Sequence, residues 1–211
     1  MIALDTTALS LLFVPGSVSY KPGSHLPIRH GRERMDALVE RAARNEDRIL
    51  IPTPALSELM VRIPSRIDEL LKQLRSSPWF AIEGFDAAAA VEVALRTASA
   101  IEAGDKREGS EAPWAKVKFD RQIVAIALVN GASELISDDP HVLAIGSRWG
   151  LLVKSVDDLP VPEDLIPPPL LAPLEETPGE ENLTTEVEAL ERAGLEPASG
   201  PSAPADDPAG G

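Results

Sequence analysis

The stretch that decides the fold is the first nine residues, Met1-Ile2-Ala3-Leu4-Asp5-Thr6-Thr7-Ala8-Leu9. Its apolar run 2–4 is short and has no helical period, which is typical of a strand buried on both faces. Asp5 ends that run, and the apolar run 8–14 predicts a helix. An acid therefore follows a buried strand, at the edge where open α/β sheets bind ligands. The alternative interpretation of Asp5 is an N-cap for the helix, and these residues alone leave both open.

The composition of the 211 residues limits the classes of protein and site. A hydrophobic content of 44% permits a true core. The absence of cysteine excludes a disulfide framework, a thiolate metal site and a cysteine nucleophile, and it fits a reducing compartment. The sequence has neither the pattern of a signal peptide nor an apolar run that could span a membrane. We therefore expect a cytoplasmic protein with no membrane partner.

The net charge of −14 is distributed unevenly along the chain. Residues 160–211 hold twelve acidic residues against one basic, a net charge of −11, which leaves −3 for residues 1–159. A strongly acidic body would argue against a nucleic-acid partner. A nearly neutral body with local basic clusters does not.

Strand and helix patterns alternate over residues 1–159. Apolar runs predict strands at 2–4, 48–51, 79–82, 134–137 and 151–154. Helical periodicity and turn residues predict helices at 8–14, 32–45, 54–62, 64–77, 87–101, 116–130 and 140–148. Thr53 is expected to cap the third of these helices, with Pro54 at its first position. This alternation predicts an α/β fold with a mostly parallel sheet and helices on both faces.

The composition changes at Pro160. Residues 160–211 contain eleven of the twenty prolines and no aromatic residue. Such a segment cannot bury enough apolar area to offset the entropy of ordering it. We predict a folded domain over 1–159 and a disordered acidic tail over 160–211, in which only 184–193 has a helical pattern.

Four acidic positions lie at comparable places in the predicted fold. Asp5 follows the first strand, and the pair Asp138-Asp139 follows a late strand. Glu58 and Asp120 lie near the N-terminal ends of helices that begin on the same edge of the sheet. Apolar neighbours flank each position and anchor it to the core, so we expect the four acids to lie close together.

Clustered carboxylates predict a metal site. Without a counter-charge they repel, and one or more would be driven towards protonation. All-oxygen ligands select a hard ion such as Mg²⁺ or Mn²⁺. Metal ions held this way can activate a water and stabilise the leaving oxygen of an in-line displacement, which is the chemistry of phosphodiester hydrolysis.

The stretches that carry these acids resemble the four acidic motifs of PIN-domain nucleases, and most closely those of VapC toxins. They are Ile-Ala-Leu-Asp-Thr-Thr-Ala-Leu with Asp5, Thr-Pro-Ala-Leu-Ser-Glu-Leu with Glu58, Phe-Asp-Arg-Gln-Ile-Val-Ala-Ile-Ala with Asp120, and Ile-Ser-Asp-Asp-Pro-His-Val-Leu with Asp139. The resemblance covers roughly residues 1–158. It implies a PIN-like α/β/α sandwich and a ribonuclease that depends on Mg²⁺ or Mn²⁺. It also implies an antitoxin protein that blocks the site, and we expect a homodimer.

The resemblance also assigns roles to single residues. Asp5, Glu58, Asp120 and Asp139 would be the catalytic and metal-binding acids, supported by Thr7, Ser137 and Asp138. The last motif of the family reads hydroxyl residue, any residue, Asp, which places Ser137 as the hydroxyl and Asp139 as the ligand. Asp138 stays the alternative ligand, because sequence does not settle which adjacent acid faces inward.

A basic cluster surrounds Asp120. Lys116, Lys118 and Arg121 would hold the phosphate backbone of RNA if they face the site. The alternative is an ordinary solvated helix face.

Overall fold

The computed structural model describes residues 1–166, which form a five-stranded sheet flanked by helices. The strands are β1 (Ile2–Leu4), β2 (Ile49–Pro52), β3 (Phe80–Glu83), β4 (Glu134–Ile136) and β5 (Leu152–Lys154). The helices are α1 (Thr6–Phe13), α2 (Gly31–Arg44), α3 (Thr53–Arg62), α4 (Ile67–Ser76), α5 (Ala87–Glu102), α6 (Trp114–Val129) and α7 (Pro140–Arg148). Short 3₁₀ helices cover Pro64–Arg66, Val156–Asp158 and Glu163–Leu165.

All five strands are parallel, in the order β3-β2-β1-β4-β5. The three central strands are buried along their whole length, whereas β3 and β5 at the edges are partly exposed. Continuous apolar runs suit central strands because helices cover both of their faces. The predicted α/β class, with a parallel sheet flanked by helices, is confirmed.

The chain changes direction across the sheet at β1. From β1 it passes to β2 and β3 on one side, and it then crosses to β4 on the other side. The pairing Leu4↔Ile136 places the ends of β1 and β4 side by side, and the Asp5 amide donates to the Ile136 carbonyl at 3.0 Å. Such a reversal leaves a crevice at the carboxyl ends of the two strands, which is where open α/β sheets bind ligands.

The helices position the edge of this crevice. α1 packs against α2 and α3, and α6 packs against α3, α5 and α7. Side chains of α1, α3 and α6 contribute fully buried residues to one hydrophobic core, among them Leu9, Leu59 and Ile123. The acids on these helices are therefore held by a common packed core.

Two local predictions need correction. Helix α1 begins at Thr6, two residues earlier than its apolar pattern indicated, because Asp5 holds the N-cap position and the polar residues Thr6 and Thr7 form the first turn. Thr53 does not cap α3: Pro52 holds the N-cap position, no side chain caps the helix, and Thr53 is its first residue. Helix α5 has a side-chain cap, since the Asp86 carboxylate accepts from the Ala89 amide at 2.9 Å.

The domain boundary at 159/160 stays a prediction. The described residues continue to Ile166, and the proposed disordered tail lies almost entirely outside them.

Candidate acidic active site

Asp5 is held at the end of β1 by side chains rather than by the helix that follows it. It stands at the N-cap position of α1, yet its side chain makes no capping hydrogen bond. Its Oδ2 accepts from Ser137 Oγ at 2.8 Å and from Thr7 Oγ1 at 3.3 Å. With 3% of its surface exposed, Asp5 forms the floor of the crevice. These contacts orient the Asp5 carboxylate. The alternative interpretation of Asp5 as a side-chain cap of α1 is wrong, because the carboxylate makes no capping hydrogen bond to the helix.

Ser137 and Thr7 link the two central strands across the crevice. The Ser137 hydroxyl donates to Asp5 and accepts from the Asp139 amide at 3.0 Å. The Thr7 hydroxyl donates to Asp5 and accepts from the Asp138 amide at 2.9 Å. Both hydroxyls thus contact predicted acids of the site, and their supporting role stays a prediction.

The two adjacent acids after β4 face opposite ways. Asp139 lines the same crevice as Asp5, and its Oδ1 caps α7 by accepting from the amides of His141 at 2.8 Å and Val142 at 3.4 Å. The Asp138 carboxylate is buried in a separate cluster and accepts from the Ser19 and Ser155 hydroxyls and from the Val156 amide at 2.8 Å. The structure thus places Asp139 at the crevice and gives Asp138 a different position.

Asp138 anchors the long loop between α1 and α2. Its bond to Ser19 joins that loop to the residues that follow β5, which are held by the bond to Ser155 at 2.7 Å. The backbone of Asp138 in turn contacts Thr7. Asp138 therefore contacts the site through its backbone amide, which donates to Thr7, whereas its carboxylate holds the loop.

Glu58 reaches the crevice from α3. Its carboxylate accepts from Thr6 Oγ1 at 2.6 Å, so the first residue of α1 orients it. Glu58 is exposed, unlike Asp5 and Asp120. The contact between Thr6 and Glu58 could not be predicted from the sequence, because it depends on the packing of α1 on α3.

Lys116 lies between two of the acids. Its Nζ is 3.2 Å from both carboxylate oxygens of Asp120 and 2.7 Å from Asp139 Oδ2. Lys116 and Asp120 are one helical turn apart on α6. Lys116 therefore faces the site rather than forming a solvated helix face, and its ammonium group is part of the acidic cluster. Its predicted contact with RNA stays a prediction.

The other two members of the predicted basic cluster do not line the crevice. Lys118 is exposed on α6 and is free to meet a ligand. Arg121 is fully buried, and its guanidinium donates to Thr97 at 2.8 Å and to Glu108 at 2.7 Å. The prediction that Arg121 contacts RNA is corrected, because the loop between α5 and α6 folds over it.

A cleft of about 400 Å³ joins these groups. It is lined by Asp5, Thr6, Thr7, Glu58, Val61, Arg62, Lys116, Asp120, Asp139 and Val142. All four predicted acids line one opening: Asp5 and Asp139 stand at the starts of helices that follow strands, and Asp120 and Glu58 lie in the second turns of α6 and α3. Sequence reasoning missed Arg62, whose only signal was its position one turn after Glu58.

Burial and repulsion by neighbouring acids raise the pKa values of Asp5 and Asp120. Burial raises the pKa of Asp5, and the nearby charges of Asp139 and Glu58 add to this, against the hydrogen bond from Ser137. Burial raises the pKa of Asp120 to about 6, although Lys116 acts in the opposite direction. A carboxylate that titrates near neutrality in a cleft is a common feature of functional sites.

Lys116 and Asp139 stabilise each other's charged form. Burial works to raise the pKa of Asp139, but the hydrogen bond and charge of Lys116, with the amides of His141 and Val142, outweigh it and lower the pKa. Burial likewise works against the charge of Lys116, and the two carboxylates nevertheless raise its pKa. The pair is therefore ionised at neutral pH.

The donors of the cleft fit a hard divalent cation by their chemistry. The acidic donors are carboxylate oxygens, which Mg²⁺ and Mn²⁺ prefer. Burial is the main cause of the raised pKa values of Asp5 and Asp120, and the charges of neighbouring acids add to it. As the side chains stand, no three acidic or histidine residues within 1–166 converge closely enough to hold an ion. A site of one or two carboxylates completed by water suits Mg²⁺, which keeps several waters.

Comparison with known proteins gives a likeness of limited strength. No protein-family model matches the chain, and no curated protein sequence matches it. The structure of VapBC2 from Rickettsia felis bound to a promoter DNA fragment is 16% identical, with a TM-score of 0.46 over 74% of this chain and 98% of that one. The DNA-bound VapBC from Salmonella typhimurium is 17% identical, with a TM-score of 0.44 over 74% and 97%.

Both solved structures are of the VapBC group, which the four acidic motifs of this chain also resemble. Identities and TM-scores of this size do not by themselves assign an activity or a partner to the chain. None of the helices within residues 1–166 is both long enough and apolar enough to cross a membrane.

Proposed function

We propose that the chain is a metal-dependent endoribonuclease that hydrolyses phosphodiester bonds of RNA. The observation that carries this proposal is the meeting of Asp5, Glu58, Asp120 and Asp139 in one cleft, at the point where the order of the sheet reverses. Mg²⁺ or Mn²⁺ is the proposed cofactor. When bound, it would polarise a phosphate oxygen and lower the pKa of a water nucleophile.

The residues of the chain have separate tasks in this proposal. Asp5 and Asp120 are the buried acids that would hold the ion, while Ser137 and Thr7 keep Asp5 oriented. Glu58 is exposed at the mouth of the cleft and is placed to orient a water or a metal-bound ligand. Exposed Lys118 is available to contact the phosphate backbone.

The biological context is proposed from the sequence motifs. Their resemblance to VapC toxins supports a role as the toxin of a type II toxin–antitoxin module. The partners would then be an RNA substrate, a cognate antitoxin that covers the acidic cleft, and a second copy of the chain in a homodimer. A housekeeping RNA-processing nuclease with the same chemistry would lack the antitoxin, and an antitoxin-like reading frame beside this gene would separate the two.

A specific observation favours a second candidate, a PIN-like module that binds RNA or protein without catalysis. The Lys116 ammonium group lies between Asp120 and Asp139, and no three acids of residues 1–166 converge on a common point. A lysine that pairs with two of the four acids would suit a domain that never binds a metal. The two candidates share their fold and differ in cleavage.

Cleavage of a fluorogenic single-stranded RNA tests the proposal. The wild-type chain is expected to cleave with Mn²⁺ and to stop when EDTA is added. Asp5→Asn should reduce the rate at least 100-fold with the fold intact, because it removes the central buried acid. Asp68→Asn, an exposed acid of α4, is the matched control and should keep the wild-type rate. Cleavage that survives EDTA, or that Asp5→Asn leaves unchanged, would contradict the proposal.

A further inference from the structure

The position of Lys116 in the cleft is not explained by the helix that carries it. Lys116 is the third residue of α6, in the first turn, where the helix dipole disfavours a positive charge. Its acidic partner on the helix, Asp120, lies four residues towards the C-terminus, which is the less favourable order for an ion pair of this spacing. What favours the lysine there is the pair of carboxylates, from α6 and from the end of β4.

The carboxylates that Lys116 contacts are largely removed from solvent. The side chain of Asp120 is 6% exposed and that of Asp139 is 22% exposed. Exposed ion pairs contribute little to stability, whereas a charge paired with buried partners is costly to remove. Lys116 therefore differs from the surface pairs of this chain, such as Arg32–Asp36, in which both side chains are about half exposed.

Lys116 also divides the cleft into two parts. Both oxygens of Asp139 have partners, since Oδ1 accepts from the amides of α7 and Oδ2 accepts from Lys116. The ion pairs among the cleft residues of the described chain, 1–166, both involve Lys116. Asp5 and Glu58 are hydrogen-bonded only through hydroxyl groups. Arg62 also lines the cleft, next to Glu58, but it forms no ion pair with these acids. The positive charge that is paired with the acids is thus on the Asp139 side.

We propose that Lys116 is a built-in second cation of the site, so that the chain binds one divalent ion rather than two. This inference rests on the proposed metal-dependent function and specifies its metal content. The ammonium group bridges Asp120 and Asp139, where a second ion would otherwise balance the carboxylates. The single ion binds on the Asp5 side, and Lys116 stays in place when it does. Lys116 is in this sense a positioning residue for Asp120 and Asp139.

Metal stoichiometry tests the inference directly. Mn²⁺ binding to the metal-free full chain is measured by equilibrium dialysis with metal analysis, and by calorimetric titration. We expect one Mn²⁺ per wild-type chain and two per Lys116→Met chain. Lys116→Arg retains the charge and should bind one ion. Lys72→Met, which removes an exposed lysine of α4, is the matched control and should also bind one.

A second measurement uses only the wild-type chain and does not depend on the folding of a variant. Reductive methylation mapped by mass spectrometry reports how available each lysine amine is, with exposed Lys72 as the internal reference. We expect Lys116 to react several-fold more slowly than Lys72, with and without saturating Mn²⁺. If Mn²⁺ brought Lys116 to the rate of Lys72, the ion would displace the lysine and the inference would be overturned.

The outcomes separate this inference from the proposed function. Two ions on the wild-type chain, or one on folded Lys116→Met, would overturn the role of Lys116 while leaving metal-dependent cleavage intact. Absence of Mn²⁺ binding in every variant would overturn the metal-dependent function and this inference with it.

Discussion

The hydroxyl of Ser137 donates to Asp5 Oδ2 at 2.8 Å, although the two residues are 132 positions apart in the sequence. The same hydroxyl accepts from the Asp139 amide at 3.0 Å. One fully buried side chain thus joins the acid at the end of β1 to the acid that follows β4. This link makes the crevice between the two strands a single site.

Ser137→Ala should weaken metal binding mainly at low pH. The hydrogen bond from Ser137 lowers the pKa of Asp5 against the effect of burial, so its loss moves that pKa further upward. A proton then competes with Mn²⁺ at higher pH than in the wild type. Titration of Mn²⁺ affinity against pH should show the midpoint displaced upward. Ser133→Ala, which removes a hydroxyl near the opposite end of β4, is the control. An unchanged midpoint in Ser137→Ala would contradict this role.

Asp138→Asn should mainly lower stability, whereas Asp139→Asn should mainly impair RNA cleavage. The Asp138 carboxylate accepts from two hydroxyls and one amide on its two oxygens, and in Asn one of these oxygens is replaced by an NH₂ group that cannot accept a hydrogen bond. We expect Asp138→Asn to lower the free energy of unfolding by about 2–4 kcal/mol, since each lost charged bond costs about 1.5–3 kcal/mol.

Asp139→Asn should cost less stability than Asp138→Asn, because Asn caps helices nearly as well as Asp and Lys116 keeps its ion pair with Asp120. It should nevertheless impair RNA cleavage. Denaturant unfolding of both variants, combined with the cleavage assay, makes the comparison. Equal losses of stability would show that the two acids are not divided between structure and site.

Asp120→Asn should stabilise the metal-free chain at neutral pH. Because the pKa of Asp120 is raised to about 6 in the folded chain, its ionised form is disfavoured by folding. Its stability contribution is most favourable below the unfolded value of 3.8, and it is lost as the pH rises from there through about 6. Removal of the charge should raise the Tm at pH 7.5 by about 2–4 °C, the equivalent of about 1 kcal/mol for a domain of this size.

The gain in Tm should disappear at pH 4, where Asp120 is protonated in the folded wild-type chain. It should also disappear in the presence of Mn²⁺, which stabilises only the wild type. A Tm for Asp120→Asn below that of the wild type at pH 7.5 without metal would contradict the burial argument.

Arg121→Met should destabilise the fold without a direct effect on RNA affinity. The variant leaves Glu108 buried without its main partner, which typically costs about 3–5 kcal/mol. Lys118→Ala should leave stability within about 0.5 kcal/mol and reduce RNA affinity in a salt-dependent way. Chemical unfolding and RNA binding at two salt concentrations make the test. If Arg121→Met stayed stable and lost RNA binding, the assignment of the two residues would have to be exchanged.

The sequence predicted the scaffold of the site well because the scaffold depends on local patterns. The apolar run Ile2–Leu4 and its terminal Asp5 identified the central strand, and the alternation of elements identified the parallel sheet. The choice between Asp138 and Asp139 needed tertiary structure, since it depends on Ser19 and Ser155, which are distant in sequence.

The charges around Asp120 were the least predictable part. Lys116 and Arg121 lie on the same helix, and both look like surface cations in the sequence. One enters the acidic cleft, and the other is buried by the loop between α5 and α6, where it meets Glu108. Helical position shows which face a residue occupies, but not which loop covers that face.

The effect of Mn²⁺ on the Tm tests the central claim most directly, because it requires no knowledge of the RNA substrate. A ligand that binds only the folded chain stabilises it by about 2.7 kcal/mol at 100 times its dissociation constant. We predict that millimolar Mn²⁺ raises the Tm of the wild type and of Asp68→Asn by several degrees, and that it leaves Asp5→Asn unchanged. A wild-type Tm that does not move, or an equal rise in Asp5→Asn, would contradict the assignment of this cleft as a metal site.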